Sequence, residues 1–304
     1  MPRKVLPLTA LAVLLSATLS ACGTTDPAAQ TPAESSSSPS TSASSSSEPS
    51  SAARAETFPQ THIHGISVRP DQSQVLLATH HGVFDVTEGQ VTQLGPTNDY
   101  MGFTEAGTEG TFYASGHPGE GSNLPNPMGL LRSDDSGRTW TTLSREGQSD
   151  FHALTLSQGG LIGFDGQLLL STDGKKWDKS QTQFAPAVLA GHPEGKVVLG
   201  TTEAGIQRSE DNGKTWQLVE SSPIVQYVSF ATPKDAAGIA PDGRVYISAD
   251  AGLTWKESGR VSEPMQQMNY ASNAEGENVL WVATARALIN STDNGANFSD
   301  YFEF

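Results

Sequence analysis

Cysteine is almost absent from this chain of 304 residues, which contains only Cys22. A single thiol forms no disulfide within the chain and builds no cysteine-based metal site. Basic residues are also scarce, with 18 Lys and Arg against 33 Asp and Glu and a formal charge of −15. Such an acidic surface argues against nucleic acid and against anionic lipid as direct partners, and leaves cations, sugars or basic protein surfaces.

Helical periodicity and a membrane-spanning run are missing as well. The mostly apolar stretch at residues 5–19 is too short for a comfortable transmembrane helix. The chain shows no long amphipathic helical period, no glycine-rich phosphate loop before a helix and no Gly-x-Ser-x-Gly elbow. These absences argue against helical bundles, nucleotide-binding folds and α/β-hydrolases.

The N-terminal region divides into a leader and a polar segment. Arg3 and Lys4 precede the apolar stretch, and small residues lead to Cys22. This pattern resembles a bacterial lipoprotein signal over residues 1–21, which implies that Cys22 is lipidated. Residues 22–57 are rich in Ser and Pro, with almost nothing apolar to bury, and predict a disordered tether. We therefore expect residues 58–304 to form a domain anchored by lipid at the outer face of the cytoplasmic membrane or at the cell surface.

A short turn motif recurs five times in the last two-thirds of the chain. Its form is Ser-x-Asp-x-Gly-x-Thr-Trp, and the copies, some imperfect, occupy residues 133–140, 171–177, 209–216, 248–255 and 291–298. A period of roughly 40 residues with strand-like sequence between copies predicts an all-β fold, a β-propeller. The motif resembles the Asp-box (BNR) repeat, in which the aspartate, glycine and tryptophan are structural. The aspartates concerned are Asp135, Asp173, Asp211, Asp250 and Asp293.

Counting strand patterns around these turns predicts six blades. Their expected ranges are 62–95, 99–145, 150–182, 184–221, 224–260 and 264–304. The first blade has lost the motif in its third turn. A seventh blade would need strands that the sequence does not supply, and residues 56–58 are expected to add an outer strand to the last blade.

The innermost strands of a propeller line a central channel, and their starts share one mouth. Aligning the first three blades brings His64, Met101 and His152 into register, while the sixth blade offers Met268 beside the first. Imidazole suits copper and zinc, and thioether favours Cu(I). We therefore expect these four residues to bind a transition metal, with copper ahead of zinc, in a protein that captures, stores or delivers it to an exported enzyme.

Other polar residues fall at the same mouth. His62, His80, His81 and His117 are expected as accessory ligands, and the insert at residues 119–129 as a lid, whereas His192 belongs at the far mouth. Asp99 and Asp150 precede their partner ligands by two residues, so each can bind directly or orient an imidazole. The same pattern is compatible with a small polar ligand without metal, or with histidines that only hydrogen-bond turns.

An enzymatic alternative follows from the resemblance. The segments 62–65, 115–118 and 150–154 and the turn motifs are similar to secreted bacterial propeller lipoproteins commonly labelled as glycosyl hydrolases or sialidases. That resemblance implies a glycoside hydrolase, in which Asp99 and Asp150 would form the carboxylate pair. The arginines needed by a sialidase do not occur at inner-strand starts. A protein-interaction or assembly scaffold is the third alternative, although the Asp-box propellers of that kind tend to carry a basic patch.

Overall fold

The computed structural model describes residues 57–304, so the leader, Cys22 and nearly all of the tether lie outside the described part. The described residues form 24 β-strands arranged as six antiparallel sheets of four strands each. The one helical element among them is a 3-10 turn at Thr87–Gly89, and none of their helices is long and apolar enough to cross a membrane. The six-bladed propeller expected from the repeats is confirmed.

Each blade is built from four consecutive strands, ordered from the channel to the rim. In the first three blades these are β1 Ile63–Val68, β2 Val75–Thr79, β3 Gly82–Asp85, β4 Thr92–Leu94, β5 Asp99–Glu105, β6 Phe112–His117, β7 Leu130–Ser133, β8 Thr141–Ser144, β9 Ala153–Ser157, β10 Gly160–Phe164, β11 Leu168–Ser171 and β12 Asp178–Lys179. In the last three they are β13 Leu189–Gly191, β14 Val198–Thr202, β15 Gly205–Ser209, β16 Gln217–Leu218, β17 Tyr227–Phe230, β18 Ala236–Ile239, β19 Arg244–Ser248, β20 Lys256–Arg260, β21 Met265–Ser272, β22 Asn278–Thr284, β23 Ala287–Ser291 and β24 Ser299–Glu303.

The repeated turn joins the third and fourth strands of blades two to six. In the second blade Asp135 Oδ1 accepts hydrogen bonds from the Thr139 amide (2.8 Å) and from the Ser133 hydroxyl (2.8 Å). Gly137 has φ of +83°, which favours glycine, and its carbonyl accepts the indole N–H of Trp140 at 3.0 Å. The turn therefore closes itself through the residues that define the motif, and none of its polar groups is directed to the channel.

The same turn also joins neighbouring blades. A Cβ at Gly213, in the turn of the fourth blade, would lie 3.0 Å from Ile162 in the third. The Ser180 hydroxyl of the third blade donates to the Gly213 carbonyl at 2.7 Å. Because the glycine has no side chain, the turn can pack directly on the preceding blade. The motif thus stabilises the ring as well as the hairpin.

The ring closes between the sixth and the first blade through different contacts. Thr57 and Phe58 form no strand, which corrects the expected outer strand, while Glu56 lies outside the described residues. Instead, the Phe58 ring packs on Phe84 of the first blade and on Phe302 and Phe304 at the end of the chain. Burial of aromatic side chains therefore joins the sixth blade to the first, a role that was expected of strand pairing.

A channel runs along the axis between the six innermost strands. It encloses a cavity of about 700 Å³, lined by residues of all six blades. Because the innermost strands run in the same direction, their starts meet at one opening. His62, His64, Met101 and His152 lie at this opening, called the histidine mouth below, and His192 lies at the opposite end.

Candidate functional site

Three innermost strands carry a β-bulge at the histidine mouth. The pairing register shifts between Ile63 and Gly65, between Tyr100 and Gly102, and between Met265 and Gln267. The extra residues are therefore His64, Met101 and Gln266, which occupy equivalent positions in blades one, two and six. A bulge turns a side chain out of the regular alternation of a strand, and here it redirects residues at the channel opening.

Glycine follows two of the bulges for a steric reason. A Cβ at Gly102 would lie 2.1 Å from the Phe151 carbonyl oxygen of the next blade. A Cβ at Gly65 would lie 2.7 Å from the Phe103 side chain. Only glycine allows the neighbouring strands to approach this closely. The His-Gly and Met-Gly pairs in the sequence thus mark the places where the inner strands converge.

Three imidazoles of the first blade meet at this mouth. His62, His64 and His80 each offer one ring nitrogen, and the three nitrogens lie within 4.8 Å of one another. The Nε2 atoms of His64 and His80 are 3.2 Å apart, and the ring centroids of His62 and His64 are separated by 4.8 Å. We call these residues the three-histidine cluster. His80 reaches it from the turn after β2, and the other two come from the start of β1.

A carboxylate orients one member of this cluster. Asp99, at the start of β5, accepts a hydrogen bond from Nδ1 of His80 at 2.9 Å. Because the carboxylate only accepts, Nδ1 carries the proton and Nε2 keeps its lone pair. His64 Nε2 lies beside the edge of this ring, 3.2 Å from Nε2 and 3.3 Å from Nδ1. This is the arrangement in which a carboxylate fixes the tautomer of a metal-binding histidine.

Two glutamines of the sixth blade hold the backbone beneath the cluster. Gln266 Oε1 accepts from the Ile63 amide at 2.8 Å, and Gln267 Nε2 donates to the His64 carbonyl at 2.6 Å. These contacts were not expected from the sequence. No sequence signal marks the two glutamines, because their role depends on the bulge after Met265.

Burial and mutual repulsion keep His62 and His64 neutral. Burial first, and then the neighbouring His80 and His62, lower the pKa of His64 to about 4. The pKa of His62 is lowered as well, first by burial and then by His80. A neutral imidazole has a lone pair to offer, so His62 and His64 are in the state that binds metal at neutral pH.

A second group of polar residues lies at the mouth and is called the Asp150 cluster. Asp150 Oδ2 lies 3.0 Å from His117 Nε2 and 3.2 Å from His152 Nδ1. The other nitrogen of His117, Nδ1, is 2.7 Å from Asn126 Oδ1 in the insert. The hydrogen bond to Asn126 and the charges of Asp150 and Asp99 raise the pKa of His117.

The remaining predicted residues separate from these clusters. His81 lies 3.0 Å from the Thr61 hydroxyl and contributes no atom to either cluster. Met101 is half-buried and Met268 is only 5 % exposed, and both line the cavity. Met268 also packs with Tyr270 and Val282 in the apolar core, and the bulge residue of the sixth blade is Gln266.

The cavity wall bears on the enzymatic alternatives. Among the described residues, no Arg or Lys lines the cavity. A sialidase requires arginines around its substrate carboxylate, so the wall does not fit that reaction. Asp99 and Asp150, the carboxylate pair of the glycosidase alternative, are each hydrogen-bonded to imidazole.

Comparisons with known proteins establish the fold. No protein-family model matches the chain, and no curated protein matches it. A GH74 xyloglucanase from Xanthomonas campestris is similar with a TM-score of 0.59 and 15 % identity, over 79 % of this chain and 38 % of that one. A GH74 enzyme from Niastella koreensis gives 0.55 and 16 %, over 79 % and 37 % of the two chains.

A third similar structure is YCF48 from Cyanidioschyzon merolae, with a TM-score of 0.50 and 12 % identity over 76 % of this chain and 96 % of that one. This chain spans less than half the length of the two GH74 enzymes. At such identities the likeness shows a β-propeller shared by glycoside hydrolases and by proteins of other kinds. It does not extend to their activities.

Proposed function

We propose that this propeller binds a transition-metal ion at the three-histidine cluster, with copper preferred to zinc. The observation that carries the proposal is the 3.2 Å separation of the His64 and His80 Nε2 atoms. Two nitrogens bound to one tetrahedral ion at the usual metal–nitrogen distance lie about 3.3 Å apart. The two imidazoles are therefore spaced as the edge of a coordination shell, and His62 supplies the third nitrogen.

The donor set decides which ions suit the site. Three imidazoles accept zinc, copper and nickel, and the usual order of affinities places Cu(II) above the other divalent ions. Met101 lies at the bulge equivalent to that of His64 and lines the same cavity, so it offers a thioether to Cu(I). These features favour copper, and the acidic net charge favours the approach of any cation.

The proposed role is capture or holding of the metal outside the cytoplasm. A lipid on Cys22, followed by the Ser- and Pro-rich segment, would keep the domain at the membrane surface, within reach of an exported protein that takes the metal. Since a three-ligand site leaves a coordination position open, the ion can exchange with a partner or bind a small polar ligand.

Metal content of the purified, untagged protein tests the proposal. We expect stoichiometric Cu(II) by elemental analysis, nitrogen ligands in its electron paramagnetic resonance spectrum, and a higher Tm with metal than without. His64→Gln should lose the ion of this cluster and the metal-dependent rise in Tm. His192→Gln, at the opposite end of the channel, should keep both.

Different outcomes point elsewhere. If the protein bound neither copper nor zinc when each metal was supplied at the same concentration as the protein, the proposal would be refuted. Release of sugar from xyloglucan, lost in Asp99→Asn and Asp150→Asn variants that still fold, would favour the glycoside hydrolase instead. Capture of a membrane complex without metal dependence would favour the scaffold.

A further inference from the structure

The Asp150 cluster is built from the same parts as the three-histidine cluster. Each cluster contains an imidazole whose Nδ1 is held by an oxygen acceptor, Asp99 for His80 and Asn126 for His117. In each, Nε2 is the nitrogen left to face another donor group, His64 Nε2 at 3.2 Å for His80 and Asp150 Oδ2 at 3.0 Å for His117. This arrangement selects the tautomer that coordinates a metal through Nε2.

Only one of the two carboxylate oxygens of Asp150 contacts the histidines. Its side chain is 15 % exposed, and Oδ2 lies near both His117 and His152. The other oxygen, Oδ1, is buried and has no hydrogen-bond partner among the described residues. Buried carboxylate oxygens are normally hydrogen-bonded or bound to a cation, so this atom indicates a missing donor or ion.

We propose that Asp150, His117 and His152 form a second binding site for a divalent transition metal, distinct from the three-histidine cluster. One carboxylate and two imidazoles are a common donor set for zinc and suit copper equally. Both imidazoles contact Asp150 Oδ2, but the three donor atoms do not all lie within 4.8 Å of one another, so His152 must turn to complete the site. Its side chain is 59 % exposed, so it can turn without disturbing the core. His117 is held more firmly, between Asn126 and Asp150.

The two sites are neighbours at the mouth. Asp99, which orients His80, starts the strand paired with the one that ends at His117, and the two residues are register partners. His64 and His152 also line the same cavity. An ion at the Asp150 site would therefore lie beside the ion of the three-histidine cluster.

Copper titration of the full protein by calorimetry tests this inference, which goes beyond the proposed function. The wild type should bind two ions of unequal affinity, and Asp150→Asn should bind one. His64→Gln should also bind one, and the double variant none. Because Asp150→Asn removes a buried charge and can disturb folding, His117→Gln/His152→Gln serves as a second variant with the same expected stoichiometry.

The outcomes separate this inference from the proposed function. One ion in the wild type that survives Asp150→Asn but not His64→Gln would overturn the second site and leave the first. One ion lost in both variants would overturn it too, since a single mixed site would then be present. One ion lost only in Asp150→Asn would support the Asp150 site and overturn the three-histidine cluster.

Discussion

The two histidine clusters of the mouth place His64 and His117 in surroundings that shift the pKa of an imidazole in opposite directions. In the three-histidine cluster, imidazoles adjoin other imidazoles and burial is greater, so the pKa of His64 falls to about 4. In the Asp150 cluster, both nitrogens of His117 meet oxygen acceptors, so its pKa rises. The comparison shows that the neighbours of a histidine at a channel mouth set the direction of its pKa shift, and that its position in the fold does not.

The largest expected effect is the difference between these two pKa values. NMR titration of the metal-free protein should place His64 near 4 and His117 above 6.5. If the two rings titrated together near pH 6.5, the contrast between the clusters would be wrong.

Removing the carboxylate that orients His80 should weaken metal binding next. Asp99→Ala leaves Nδ1 of His80 without its acceptor, and the loss of such a partner typically costs about 10–100-fold in metal affinity. Calorimetry with Cu(II) measures the change. Asp300→Ala, at the exposed rim beside Arg286, is the matched control and should leave the affinity unchanged.

A variant in the repeated turn should separate the rim from the mouth. Asp250→Ala removes the acceptor of the Thr254 amide (2.8 Å), of the Thr254 hydroxyl (2.6 Å) and of the Ser248 hydroxyl (2.9 Å). We expect the free energy of unfolding to fall by about 1–2 kcal/mol, with metal stoichiometry unchanged. Urea unfolding and metal analysis of the same sample check both parts. If the Asp250→Ala variant were fully folded and still lost its metal, the turn would have a role beyond structure and the assignment would be wrong.

The smallest expected effect is on the pH dependence of stability. The pKa of His64 in the folded protein, about 4, lies below the unfolded value of 6.5, so the unfolded chain takes up the proton first as the pH falls. The His64 contribution to stability is therefore present above pH 6.5 and is lost between 6.5 and 4.

His117 acts in the opposite direction, because its raised pKa adds stability below pH 6.5 that is lost as the pH rises through its folded value. In the metal-free protein, the Tm of His64→Gln should consequently fall less than that of the wild type between pH 7 and 4.5. An equal fall in both proteins would show that His64 makes no such contribution.

The repeated turns made the fold predictable, because the residues of each turn identify a hairpin from the sequence alone. The expected second blade, residues 99–145, matches strands that run from Asp99 to Ser144. The mouth was predictable to the extent that it depends on strand order, which brought His64, Met101 and His152 to one opening.

The details of the mouth depend on single-residue shifts, which no local pattern encodes. The bulge after Met265 places Gln266 where a methionine was expected and leaves Met268 in the core. One residue of shift moves a side chain to the other face of a strand. The division of the histidines into two clusters likewise follows from side-chain hydrogen bonds, such as that between His117 and Asn126, and not from spacing.

The glutamines beneath the three-histidine cluster are synthesised long after the histidines that they support. The Ile63 amide donates to Gln266 and the His64 carbonyl accepts from Gln267, and each partner lies 203 positions later in the chain. During synthesis the histidines therefore emerge long before the strand that supports them. A chain that stops before the sixth blade contains all three imidazoles but lacks the glutamines that hold the Ile63 and His64 backbone in place, so binding in this geometry reports that the ring has closed.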